Sequence, residues 1–206
     1  MDLDFDWWCN TFKSAIAQFG RTVMVLAPWN DPIPLTRGWC LFELFCTADK
    51  KSKFEVAMSR EHQQHFFDDM AKDGQQAMDK MLATINAEKG ECWKAEDRDR
   101  IFDAVRRTVG FAGINAMVFE QLRGWVIQVT TSALGQETDK MKVLGLKSTL
   151  AGLYENQGKY DAAEPLYKEC LATQKEVLGD DHPSTVTSRN NLRIFYLEQE
   201  QRKSSQ

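Results

Sequence analysis

The first quarter of the chain alternates between helix-like and strand-like patterns of apolar residues. Trp7, Trp8, Phe12, Ile16 and Phe19 recur at helical spacing and predict an amphipathic helix over residues 7–19, ended by Gly20. Residues 22–27 form an apolar run without alternation, which predicts a strand buried on both faces of a parallel sheet. A second helix over 38–49 and a second strand over 54–58 follow. This order indicates part of an α/β fold with a parallel sheet and crossover helices.

The two predicted strands are too few for an independent sheet. Isolated two-stranded sheets are marginally stable, and crossover helices need a wider platform to pack against. We therefore expect further strands upstream of Met1, with residues 2–5 as the end of a connection from them. The other possibility is that the open sheet edge pairs with another chain. Residues 1–59 are thus predicted to be a partial α/β domain.

The middle of the chain, residues 60–138, carries helical patterns throughout. Ser59 is a suitable cap for a helix that starts at Arg60. Apolar stripes then predict helices over 95–108 and 114–131, and the charges on the first of these alternate in sign, as on a solvated face. His62 and His65 lie one turn apart, but the sequence marks no third ligand, so no metal site is expected.

The C-terminal segment, residues 139–206, repeats itself at an offset of about 42 residues. Leu150 then aligns with Leu192, and Tyr154 aligns with Tyr196. One helix carries Leu150 and Tyr154, Gly158 turns the chain, and a second helix follows. We interpret residues 161–164 as a capping box for that second helix. The segment is predicted to hold one complete helical hairpin and a truncated second one.

Residues of this hairpin resemble the framework of a tetratricopeptide repeat. Small residues allow two antiparallel helices to approach closely, and tyrosines fill the space between neighbouring hairpins. The framework positions are Leu150, Ala151, Tyr154, Gly158, Tyr160, Ala163 and Tyr167. The turn at 178–183 makes the repeat similar to the kinesin-light-chain type. The resemblance implies a surface that binds a protein or peptide partner.

Composition narrows the classes of partner and the cellular location. The net charge is −4, so the chain has no overall basic field, and we expect no nucleic-acid partner. No apolar run reaches the roughly 18 to 20 residues of a membrane span, and the N-terminus is acidic, so we expect a cytoplasmic protein without membrane contact. The five cysteines are widely spaced and mostly set among apolar residues, which predicts buried free thiols.

A second resemblance concerns residues 12–45. Trp39, Cys40, Glu43 and Leu44 match the helix start in the second half of a Toll/interleukin-1 receptor (TIR) domain. The resemblance implies a partial flavodoxin-like fold for this segment. Together with the repeat, this segment resembles uncharacterised algal and oomycete TIR-like proteins with tetratricopeptide repeats. In TIR domains that cleave NAD, the glutamate of this helix is catalytic, so the resemblance implies that role for Glu43. The other interpretation of Glu43 is a first-turn carboxylate stabilised by the helix dipole.

Three functions follow from these patterns. The favoured hypothesis is an interaction scaffold or adaptor that uses the helical hairpins, with the α/β segment as a signalling or assembly module. An adaptor of this kind needs no cofactor and no catalytic group. The alternative is a TIR-like NAD glycohydrolase that uses Glu43, and NAD is implied under this alternative alone. The third is a kinesin-light-chain-like cargo adaptor, although the chain lacks a long heptad coiled coil.

Overall fold

The computed structural model describes residues 5–204, and it confirms a mostly helical chain with a small α/β part. Residues 2–4 of the predicted connection and the side chain of Trp8 lie outside what is described, whereas Phe5, its last residue, is the first residue of a helix. The strands are β1 Arg21–Val25 and β2 Lys53–Ala57. The helices are α1 Phe5–Phe19, α2 Gly38–Asp49, α3 Arg60–Ala83, α4 Ala95–Arg107, α5 Gly110–Leu134, α6 Lys140–Asn156, α7 Tyr160–Leu178 and α8 Pro183–Ser204. Short 3-10 helices span Ile33–Thr36 and Ala87–Lys89.

The two strands pair in parallel, from Arg21 opposite Lys53 to Val25 opposite Ala57. The prediction that the first strand is buried on both faces is wrong. Met24 is 6% exposed, whereas Val23 and Val25 are 50% and 60% exposed. A strand is buried on both faces only when helices pack on both sides of its sheet. Burial instead alternates along β1, which is the pattern of a sheet with one covered face.

The covered side of the sheet contacts α2. The hydroxyl oxygens of Thr22 on β1 and Thr47 on α2 are 2.7 Å apart, and Thr47 also donates to the Glu43 backbone carbonyl at 2.7 Å. The N–H of Gly38 donates to the Glu91 carbonyl at 2.9 Å, which fixes the first residue of α2. The Trp39 ring packs 6.3 Å from that of Phe12. Aromatic packing and hydrogen bonds therefore position α2 and, with it, Glu43.

Residues 5–204 divide into two compact units. The α/β unit contains the chain up to Phe66 together with residues 78–126, and the repeat unit contains Phe67–Ala77 together with the chain from Ile127 onward. The helices α3 and α5 each contribute residues to both units. The predicted domain boundaries after residues 59 and 138 stay a prediction.

The helix α3 starts and bends where the sequence provides polar side chains. The Ser59 hydroxyl accepts from the His62 N–H at 3.2 Å, so Ser59 is the N-cap. The helix is interrupted at Asp73, whose backbone is non-helical, and the Asp73 carboxylate accepts from the Gln76 N–H at 3.1 Å. This local capping lets a second helical segment begin immediately after the kink.

No helix within the described range is both long and apolar enough to cross a membrane. All five cysteines have free thiols: Cys9, Cys46 and Cys170 are buried, and Cys40 and Cys92 are partly buried. Burial raises the pKa of both Cys46 and Cys170 to about 12, so these two thiols stay protonated at neutral pH.

Candidate functional site

The helical hairpin of the repeat unit is formed by α6 and α7. Ala151 and Ala163 are fully buried where the two helices meet, because a methyl side chain lets their backbones approach closely. Gly158 has a φ of +72° in the turn between them, a conformation that glycine adopts without steric cost. The predicted hairpin and its turn glycine are therefore present.

The second helix of the hairpin begins differently from the prediction. Lys159 is its N-cap residue and makes no capping hydrogen bond with its side chain. The predicted capping box at residues 161–164 is thus wrong, since Asp161 already lies inside the first turn of α7. There its negative charge faces the positive end of the helix dipole, which stabilises the helix without a side-chain cap.

The predicted framework residues form the core of the repeat unit. Leu150 is 3% exposed, and Tyr167 is 6% exposed. Tyr154 and Tyr160 are partly buried and pack against the same cluster. The framework residues thus form the scaffold of the repeat unit. Among the framework tyrosines, Tyr167 also lines a surface cleft.

The first helix after the hairpin, α8, completes this core. Phe195 is fully buried, and its ring lies 5.5 Å from that of Tyr167 and 6.1 Å from that of Tyr160. The helix begins at Pro183, as predicted, because proline is well suited to the first turn. The core of the repeat unit therefore includes a side chain from a third helix.

A segment of α3 packs against α6 in the same unit. A Cβ atom added to Gly145 would lie 1.8 Å from the Ala71 carbonyl oxygen, so the two backbones are in direct contact. The Thr149 hydroxyl donates to the Met70 carbonyl at 2.6 Å in a buried hydrogen bond. Glycine at position 145 is therefore required by the close approach of α3 rather than by its own φ angle.

A surface cleft of about 690 Å³ lies among α6, α7, α8 and residues 71–74 of α3. We call it the repeat cleft. Glycines, hydroxyl groups and amides supply most of its lining. Representative lining residues are Gly145, Ser148, Gly152, Ser188 and Asn191. Such a lining offers hydrogen-bonding groups and room for a main chain, but it provides no deep apolar pocket.

Charged residues gather at one end of the repeat cleft. The Tyr167 hydroxyl donates to the Glu155 carboxylate at 2.7 Å. Burial raises the pKa of Glu155, the hydrogen bond from Tyr167 opposes this change, and the nearby Glu198 charge adds to it. Arg202 lies 3.7 Å from the Glu198 carboxylate and 4.9 Å from the centre of the Tyr160 ring. Two carboxylates therefore share one guanidinium group.

Gln174 lies in the repeat cleft seven residues beyond Tyr167 along α7. Its side chain is almost fully buried, with the residue 7% exposed, and its Oε1 atom has no hydrogen-bond partner among residues 5–204. The backbone carbonyl of Gln174 is satisfied, because the Thr185 hydroxyl donates to it at 3.3 Å. A buried acceptor without a donor costs free energy, so a donor that reached this oxygen would gain a favourable hydrogen bond.

Apart from Tyr167, the residues that line the repeat cleft were not predicted from the sequence. On α8 these residues recur with helical spacing at Ser184, Ser188, Asn191, Glu198 and Arg202. A polar stripe of this kind is also what a solvated helix face shows, so it does not by itself indicate a site. On α6 the available signal was the small-residue series Gly145, Ser148 and Gly152.

The other predicted site residue, Glu43, lies in the α/β unit. Its side chain is partly buried, and within the described residues its carboxylate makes no hydrogen bond or ion pair. Burial raises its pKa above the usual value. Burial disfavours the charged form of the carboxylate, so the fold is more stable while Glu43 is protonated. This part of the stability is lost as the pH rises through the folded pKa of Glu43.

The antiparallel hairpin, its buried alanines and its turn glycine define the class of helical-hairpin repeat. The tetratricopeptide repeat family matches residues 143–184, and the match is to the kinesin-light-chain type of repeat. Neither the curated proteins nor the solved structures contain a match to the chain. The matched residues include most of α6 and all of α7.

Proposed function

We propose that the chain is a protein-interaction adaptor that binds a peptide segment of a partner protein in the repeat cleft. The observation that carries this proposal is the cleft itself, a polar, glycine-containing groove lined by residues of α6 and α8 together with two residues of α7. Stacked helical hairpins bind partners on extended concave surfaces of this kind. The tetratricopeptide match at residues 143–184 supports the same class of function.

The proposal also covers the α/β segment and the cellular location of the protein. We propose that the TIR-like segment, residues 1–59, acts as an assembly or signalling module in the cytoplasm. The half-exposed Val23 and Val25 on β1 leave one face of its sheet open, which supports a role in self-association. A kinesin-light-chain-like cargo adaptor is a narrower form of this function and rests on the type of repeat alone.

The test compares two adjacent asparagines on α8. Asn191 lines the repeat cleft, whereas Asn190 is exposed and does not line it. Peptides would be selected from a random twelve-residue library on the intact chain, and their affinities measured by fluorescence anisotropy. We expect Asn191→Ala to weaken binding about five- to tenfold, because an amide that pairs with a peptide main chain contributes about 1 kcal/mol.

Asn190→Ala is the matched control and should leave the affinity unchanged. It removes the same side chain one residue away, on a different side of the helix. The proposal fails if the library yields no binding peptide, or if the selected peptides bind both variants as tightly as the unmodified chain.

The alternative function, NAD cleavage, rests on Glu43. A partly buried carboxylate with a raised pKa is the kind of group that enzymes use in catalysis, which favours testing it. The intact chain and Glu43→Gln would be compared for release of nicotinamide from NAD. Glutamine removes the cost of burying a charge, so the variant should be at least as stable at pH 7, and lost turnover would not reflect unfolding. Absent turnover, or turnover that Glu43→Gln leaves unchanged, excludes this alternative.

A further inference from the structure

The charge at one end of the repeat cleft is unbalanced. Glu155 and Glu198 lie near each other and near Arg202, and among the described residues that line the cleft these three are the charged ones at that end. The remaining charged residues of the lining, Lys72 and Asp73, are neighbours on α3 and offset each other. A cationic side chain is therefore the group that would complete this end of the cleft.

Arg202 does not neutralise both carboxylates. Its 3.7 Å contact with Glu198 is long for an ion pair, and the two side chains are about half exposed, at 53% and 48%. Exposed pairs of this kind contribute little and reorganise easily. The Arg202 guanidinium also lies over the Tyr160 ring, which provides it with a second partner. A ligand cation can thus approach the carboxylates without breaking a strong interaction.

Gln174 supplies a second and independent contact point. Gln174 is one of the lining residues, and its Oε1 atom is a buried acceptor without a hydrogen-bond donor among the described residues. A main-chain N–H of a bound peptide would satisfy it. A carbonyl or carboxylate group of a ligand is itself an acceptor, so it cannot form a hydrogen bond with this oxygen. The oxygen would then stay unsatisfied, at the same cost in free energy.

The distance between the two contact points follows from helix geometry. Tyr167, which holds Glu155, and Gln174 are seven residues apart on α7, and a helix rises 1.5 Å per residue, so they are separated by about 10 Å along its axis. An extended peptide advances about 3.3 Å per residue. About three residues of an extended chain therefore span the two points.

From these contacts we infer that the repeat cleft selects an extended peptide that places a lysine or arginine against Glu155 and Glu198. The same peptide, about three residues away, donates a main-chain N–H to Oε1 of Gln174. This inference rests on the proposed function, since it names the chemistry of the partner that the cleft binds. An acidic peptide is disfavoured, because it would add a carboxylate to a cluster that already has an excess of them.

The test uses nine-residue peptides of alanine, serine and glycine that carry lysine, glutamine or glutamate at the central position. Affinity is measured by fluorescence anisotropy at low salt, and the side-chain amide signals of Gln174 are followed by NMR. We expect the lysine peptide to bind about tenfold more tightly than the glutamine peptide, with the glutamate peptide weakest, and we expect the Gln174 signals to shift. Single N-methylation along the lysine peptide should weaken binding most at about three residues from the lysine.

Two protein variants with opposite expected effects make the test specific. Glu198→Gln should weaken the lysine peptide about three- to tenfold, whereas Arg202→Gln should strengthen it about two- to fivefold, because it removes the competing cation. Glu200→Gln and Arg193→Gln change the same residue types outside the cleft lining and should have no effect. The inference is overturned if the glutamate peptide binds most tightly, or if Arg202→Gln weakens the lysine peptide.

The outcomes also separate this inference from the proposed function. If all three peptides bind with equal affinity and shift the Gln174 signals, the cleft binds peptides but does not select a cation, and the inference alone fails. If no peptide binds, including those from the random library, both the inference and the proposed function fail.

Discussion

Replacing Phe195 by alanine should lower the free energy of unfolding of the repeat unit by about 3–5 kcal/mol, the usual cost of removing a buried aromatic ring. The Phe195 ring is fully buried and contacts the rings of Tyr160, Tyr167 and Tyr196, so its loss leaves a cavity among rigid aromatic neighbours. Urea denaturation followed by circular dichroism at 222 nm would measure the change.

Ile194→Ala is the control for Phe195→Ala. Ile194 precedes Phe195 on α8, but it is 52% exposed, so its truncation should cost less than about 1 kcal/mol. Equal losses for the two variants would mean that α8 does not pack on the hairpin as described. The comparison therefore tests whether the repeat core consists of three helices.

Replacing Gly145 by alanine should destabilise the repeat unit by about 1–3 kcal/mol, the range for overpacking at a tight contact. The new methyl group would lie 1.8 Å from the carbonyl oxygen of Ala71, a backbone atom that cannot rotate away. Alanine is the better helix former by about 1 kcal/mol, so the expected loss opposes the intrinsic preference. Thermal or urea unfolding of the intact chain would measure it.

The matched control for Gly145→Ala is Gly124→Ala in α5. A Cβ atom at Gly124 would meet nothing within 4 Å, so this variant should be neutral or more stable by up to about 1 kcal/mol. If Gly145→Ala stabilises the chain to the same extent, α3 and α6 are not in backbone contact. Helix propensity alone predicts that both variants gain stability, so a loss in Gly145→Ala has to come from the contact with Ala71.

The contact between α3 and α6 also has a functional consequence. Residues 71–74 form part of the lining of the repeat cleft, and the Thr149 hydrogen bond to Met70 and the 2.6 Å ion pair between Lys142 and Asp68 hold this segment on α6. A variant that loosens α3 would therefore alter the cleft as well as the stability. Substitutions on α8 lie away from that contact, so they change the cleft lining without loosening α3.

Much of the helical hairpin could be predicted from the sequence because its signals are local. The turn glycine Gly158 and the small residues Ala151 and Ala163 each depend on neighbours along the chain, and the structure places Gly158 in the turn and both alanines in the core. The two strands and the helix between them were predicted from the same kind of local pattern. Local periodicity reports which residues face inward, and this information is sufficient for helices and turns.

The repeat cleft was decided by the tertiary structure alone. Thr149 and Met70 are 79 positions apart, and no local pattern indicates that α3 contacts α6. Gln174 became an unsatisfied acceptor through the packing around α7, and Val23 became exposed because the sheet is covered on one face. A polar stripe on a helix has the same sequence pattern whether it faces bulk water or a cleft. The arrangement of several helices in space gives Glu155, Glu198 and Gln174 a common surface, and with it a candidate function.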